Sequence, residues 1–343
     1  MAVKIRYIIL FFIALLAYIF IPDNTLDLYQ YYNESLSESI KISVSQFIEE
    51  KIDTRFDFIY FLSFNLIRRF GLSINIVNLV YVFMFYFQSM GLLNDYIREY
   101  KLNDKKGILL ANMLIFVSVP FIYVFSISRM VASFTFFFYA IRCLNKNRML
   151  LFLLFLFLTL FTHIGSFIYI FMFLVARFVL SPYIKISSAN IVLFGSLLMF
   201  FLLNMLLNPI VDIIGNFSFF ESYSYFKDYL QEFNGLNFEG QSRITTVATL
   251  WFVVSIIIYS YKSNIVSGKF KFSIYVTMFI ILGAFMNNMF LQRAILFATP
   301  FNSILMLNGY NKSRSIIYVL MFLITVTISI LLYLAFLFNG FFI

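Results

Sequence analysis

Between Arg148 and Arg177 the chain carries no Asp, Glu, Lys or Arg, and most of its side chains are Leu, Phe, Ile, Met or Val. A run this long restricts what can form. A doubly buried strand uses only about 4–8 such residues. An outer-membrane barrel alternates apolar and polar positions in strands of about 10. A continuous run instead fits helices solvated by lipid, with roughly 20 residues to each crossing. Similar runs recur along the chain, which is 62% hydrophobic and 12% charged with a mean hydropathy of +0.91. An average soluble domain is about 45–50% apolar and about 25% charged. A soluble enzyme, a disordered chain and a nucleic-acid-binding module are therefore excluded. The single Cys, Cys143, excludes a disulfide framework, and the single His, His163, excludes a His-rich metal centre.

The fold class expected is an all-α polytopic membrane protein, a single membrane domain over 1–343. About eleven crossings are read at 7–22, 74–93, 108–127, 129–142, 149–163, 164–181, 190–215, 244–261, 272–291, 293–309 and 316–339. No small-residue cleavage site follows the first run, only Pro22-Asp23-Asn24, so it is expected to remain as a helix.

Charge sets the direction of the helices. Lys4 and Arg6 precede the first helix, which places the N-terminus inside. Five short basic connections, around 98–106, 142–148, 177–185, 262–271 and 312–314, all fall on the same side if the later helices alternate. The formal charge of +9 is thus an inward bias, not a nucleic-acid footprint. The outward stretch 23–57 is acidic, and 216–243 is the second long outer loop. Residues 56–70 are apolar but short and end in Arg68-Arg69. A full crossing there would invert every basic loop that follows, so a half-inserted outer helix is expected. The outer elaborations are then 23–73 and 216–243. No internal repeat, Walker A sequence or Gly-rich phosphate loop is present.

Ionisable groups at membrane helices are costly and mark functional sites by default. In this topology Arg129, His163, Arg243 and Arg293 all fall at outer helix ends. Arg129, Arg243 and Arg293 each stand at the start of an expected inward-running helix. A helix N-terminus is already partly positive, so a cation there is unfavourable by some tenths to about 1 kcal/mol. A bound anion reverses that sign. Helix N-termini bind phosphate, and the guanidinium fork matches its oxygens. Converging, the three would grip a pyrophosphate without a metal. The competing role for each is to snorkel to outer head groups.

His163 follows Thr159 by one turn and precedes Gly165-Ser166, where the chain is expected to reverse. Its ordinary pKa near 6.5 suits proton transfer or hydrogen bonding to a hydroxyl; a structural hydrogen bond is the alternative. Glu49, Asp53 and Asp57 lie at i, i+4 and i+8 and would share one helical face as candidate bases. A solvated outer loop is the competing reading of all three.

The stretch SRMVASFTFFFYAIRCLNKNRMLLFLLFLFLTLFTHIGSF (128–167) runs from an Arg through a small-residue helix, a basic turn and an apolar helix to a His before small residues. It resembles the EpsG-like and Wzy-like membrane polymerases of bacterial surface polysaccharides, as do 49–73 and LQRAILFATP (291–300). The resemblance implies a glycosyltransferase with GT-C-like architecture in the bacterial inner membrane, acting at the periplasmic face. Such enzymes join undecaprenyl-pyrophosphate-linked repeat units of O-antigen or exopolysaccharide, with lipid pyrophosphate as leaving group. An inverting mechanism with no metal and no other cofactor is expected, although the acidic outer loops leave carboxylate-bound Mg²⁺ open. The implied partners are the lipid-linked donor and acceptor, the bilayer and a Wzz-like chain-length regulator. The alternatives are an O-antigen ligase, which uses the same donor, or another lipid-linked-sugar glycosyltransferase, and, further off, a polysaccharide flippase or transporter, which would want two related halves.

Overall fold

The computed structural model describes residues 2–20, 28, 45–46, 58–119, 121–126, 128–183, 251, 254–259, 263, 265, 269–284, 288–313 and 315–338. Among these residues the regular structure is helical and no strand occurs. The chain divides into two compact units, Met1–Phe171 with Ser315–Ile343, and Met172–Arg314.

In the first unit the helices are α1 (Ala2–Ile19), α2 (Phe58–Arg69), α3 (Asn75–Glu99), α4 (Lys105–Val117), α5 (Phe121–Ser126), α6 (Ser128–Asn145), α7 (Met149–Thr162), the start of α8 (Ser166–Leu174) and α11 (Ile316–Phe338). The long α3 packs against α1, α2, α4, α5 and α6. Aromatic rings fill the seams. Phe85 meets Phe138 across α3 and α6 at 5.7 Å between centroids, and Phe134 meets Tyr169 edge-on at 5.1 Å. Such pairs contribute about 0.5–1.5 kcal/mol beyond the area they bury.

The turns follow local chemistry. After α2, Gly71 takes φ 69°, and its N–H and that of Leu72 cap the carbonyls of Arg68 and Ile67. That left-handed C-terminal stop suits a residue without a Cβ. Asn147, at φ 57°, turns α6 back into α7. Asp104 caps α4 by accepting from the Lys106 N–H at 3.1 Å.

Several expected boundaries move. The single crossing expected at 108–127 is split into α4 and α5, with Ser118 and Val119 outside both helices. Pro120 follows directly, and proline disfavours helical geometry in the residue before it. The α2 helix runs antiparallel to α3: Gly71 turns the chain, and the Ser63 hydroxyl meets the Tyr81 hydroxyl at 2.6 Å. Its 12 residues rise about 18 Å, short of a roughly 30 Å hydrocarbon core.

In the second unit the close of α8 passes through a π-helical turn, Val175–Leu180, with the Ser181 N–H reaching back to the Ala176 carbonyl. Arg177 donates to the Lys269 carbonyl and lies over the Phe272 ring. Lys271 Nζ donates to the Ser181 carbonyl at 2.6 Å. Helix α9 (Phe272–Ala284) packs against α10 (Asn288–Ser313), which contains Pro300.

The outside of these helices is apolar. Phe11 and Phe12 on α1, Leu150, Leu153 and Phe157 on α7, and Leu320, Leu323 and Leu331 on α11 are all exposed. The buried positions include Asn78, Gln88, Asn112, Thr159 and His163. Among the described residues, one helix, α3, has both the length and the hydropathy of a membrane crossing. The shorter apolar stretches are Arg6–Ile19, Met149–Thr162, Ser166–Leu180 and Ile316–Leu331.

Candidate functional site

The site is built on the α6–α7 hairpin. Ser133 Oγ on α6 donates to the Thr159 carbonyl on α7 at 3.0 Å, which fixes the antiparallel register. Arg129 lies one turn before Ser133, and His163 lies one turn after Thr159. The register therefore brings Arg129 and His163 to the same level at one end of the hairpin.

His163 closes α7. Its backbone is extended at φ −163°, ψ 114°, while its N–H still reaches the Thr159 carbonyl. The His163 carbonyl accepts from Ser166 Oγ at 2.6 Å and from the Ser166 N–H at 3.0 Å. These bonds hold the reversal into α8. The imidazole is buried and lies against Gly165, where an added methyl would come 2.8 Å from Nε2. Thr159 and Thr162 donate their hydroxyls to the Phe155 and Leu158 carbonyls one turn back. Their hydroxyl hydrogens are thus used within α7.

Arg129, expected to begin a helix, is the second residue of α6, within its first turn, and is half-buried. The residue before it, Ser128, is fully buried and shares a hydrogen bond with the Tyr60 hydroxyl of α2. Phe58, at the start of α2, packs on Phe161 of α7 at 5.4 Å. One end of the hairpin thus gathers a cation, an imidazole and a hydroxyl pair.

Arg293 differs from its expected place. It was expected to begin a helix at 293, but α10 starts at Asn288 and Arg293 lies in its second turn, 8% exposed. The helix-end field falls off beyond the first turn, so the helix-terminus argument applies to Arg129 and not to Arg293. Arg293 belongs to the second unit, whereas Arg129 and His163 belong to the first. Arg243, Glu49, Asp53 and Asp57 lie outside the described residues.

A second polar group occupies the other end of α6. Arg142 Nε donates to Asp95 at 2.8 Å, and another guanidinium nitrogen donates to Gln88 at 2.7 Å. Gly91 makes room, since a methyl there would come 2.5 Å from the guanidinium carbon. Nearby on α3, Asn94 accepts from Arg6 of α1 at 3.0 Å. Arg142, expected in a basic loop, lies in the last turn of α6 and ties that helix to α3. The missed signal was Asp95, an acid directly before a basic connection.

Among the described residues, helices carry apolar side chains outward and hydroxyls, amides, an imidazole and guanidinium groups inward, a pattern shared with helical proteins that lie in lipid. The EpsG family model matches residues 3–343, and the chain belongs to the EpsG family. No curated protein and no solved structure matches it.

Proposed function

We propose that this protein is a polysaccharide polymerase that joins undecaprenyl-pyrophosphate-linked oligosaccharide units. Membership of the EpsG family suggests a role of this kind. The observation that carries the reading is the level match of Arg129 with the buried His163 at one end of the α6–α7 hairpin.

In the reaction, an acceptor hydroxyl attacks the anomeric carbon of the donor. The bond from that carbon to the pyrophosphate oxygen breaks, and the lipid pyrophosphate leaves with the electron pair. The acceptor proton passes to a base. Negative charge grows on the leaving group, so fixed donors aimed at it lower the barrier. Arg129 provides such a donor beside the first-turn N–H groups of α6, which have no partner within their helix. Arg293 and Arg243 are the further candidate phosphate ligands that the sequence offers. His163 accepts the proton or holds the acceptor hydroxyl, with Glu49, Asp53 or Asp57 as the alternative base. Attack from the face opposite the leaving group gives inversion. The active end faces the periplasm of the inner membrane, in a GT-C-like single domain of about eleven crossings with outer elaborations at 23–73 and 216–243.

Gel electrophoresis of surface glycans after deletion of the gene tests the reading. Loss of the long-chain ladder with single units still attached supports a polymerase. Loss of every unit from its anchor points to a ligase instead.

A further inference from the structure

We propose that Tyr60 and Ser128 form a positioning pair that fixes the start of α6, and with it Arg129, at the level of His163. The inference rests on the reading of Arg129 as a pyrophosphate ligand and adds the device that aims it.

The first turn of a helix is its least constrained part, because its N–H groups lack partners within the helix. An Arg there points reliably only if something outside holds the turn. In this protein the Ser128 hydroxyl, adjacent in sequence to Arg129, is bonded to Tyr60, and both residues are fully buried. The Tyr60 ring is itself held edge-on by Phe64 at 5.0 Å and packed on Tyr81 at 6.0 Å. One turn along α2, Ser63 bonds the Tyr81 hydroxyl. Tyr60 and Ser63, spaced i and i+3, thus form a short polar stripe on an apolar helix, joining α2 to α6 and to α3. On the other side of α6, the bond from Ser133 to the Thr159 carbonyl fixes its height against α7. The start of α6 is held from two directions. A misplacement of about 1 Å at a reacting group can cost on the order of 10²-fold.

The test is binding of undecaprenyl pyrophosphate to the purified full-length protein in lipid nanodiscs, with thermal melting as the check on folding. Tyr60→Phe keeps the ring and removes the hydroxyl. It should weaken binding about tenfold or more at an unchanged melting temperature. Ser128→Ala should match it, and Ser128→Thr, which keeps a hydroxyl, should restore binding. Combining Tyr60→Phe with Arg129→Lys should weaken binding no further than Arg129→Lys alone, because both act through one guanidinium. If Tyr60→Phe does not fold, Ser128→Ala removes the same contact without touching α2. Wild-type affinity in Tyr60→Phe and Ser128→Ala, with binding weakened in Arg129→Lys, overturns the positioning role alone. Multiplying losses in the combined variant overturn it too. Wild-type affinity in both Arg129→Lys and Arg129→Ala overturns the ligand reading and the positioning role together.

Discussion

At the scale of single residues, the sharpest contrast is between Arg129 as a ligand and Arg129 as a snorkelling cation. A guanidinium offers a planar two-point contact that an ammonium lacks. Arg129→Lys should therefore recover only part of the polymerisation seen in the wild type, and Arg129→Ala should lose about 10²–10³ in rate. Full chain length with Lys at normal expression would refute the ligand role, because a Lys stem reaches head groups equally well. His163 gives a second test. His163→Ala should cut polymerisation by about 10²–10⁴ while the protein still inserts. Gly165→Ala should produce a milder form of the same defect, since its methyl displaces the ring at Nε2. Glycan length profiles of both variants check this, and normal chains from His163→Ala would return that residue to a structural role. The place of His163 was legible because a lone imidazole before Gly-Ser reads as a polar helix end. The Tyr60–Ser128 contact was not, because it joins positions 68 apart in sequence and exists only through tertiary packing.

At the scale of elements, the ion pair of Arg142 with Asp95 decides how α3 and α6 sit. Asp95→Asn removes the charge facing a mostly buried guanidinium, which typically costs about 3–5 kcal/mol. Gly91→Ala attacks the same pair by bulk, since its methyl overlaps the guanidinium. Both variants should melt earlier in detergent than the wild type, and Gly91→Ala should not lower stability further in an Asp95→Asn background. Additive losses would show that Gly91 serves some other packing need. The helices themselves were mostly readable, because long apolar runs leave few alternatives. Their ends were less so. Pro120 interrupts the apolar run 108–127, and α10 begins at Asn288, five residues before the conspicuous Arg293. Apolar periodicity fixes the middle of a helix, while caps and prolines fix its limits.

At the scale of the whole molecule, direction is the prediction to test. Single cysteines introduced at 142–148 and 262–271 should be labelled only from the cytoplasm, and those at 23–55 and 216–243 only from the periplasm. Outward labelling of Lys269→Cys would overturn this topology. The helical class was legible because continuous apolar runs do not suit strands, and the described residues are helical. The shared level of Arg129 and His163 was legible only in outline. It depends on register, and register is set by a turn at Asn147 and one side-chain bond from Ser133. That hairpin has a mechanical consequence. A slip of one residue along a helix axis is about 1.5 Å, enough to strain the Ser133–Thr159 bond and the Arg142–Asp95 pair together. Helix α6 therefore has almost no travel against either α7 or α3, and behaves as a fixed rail between them.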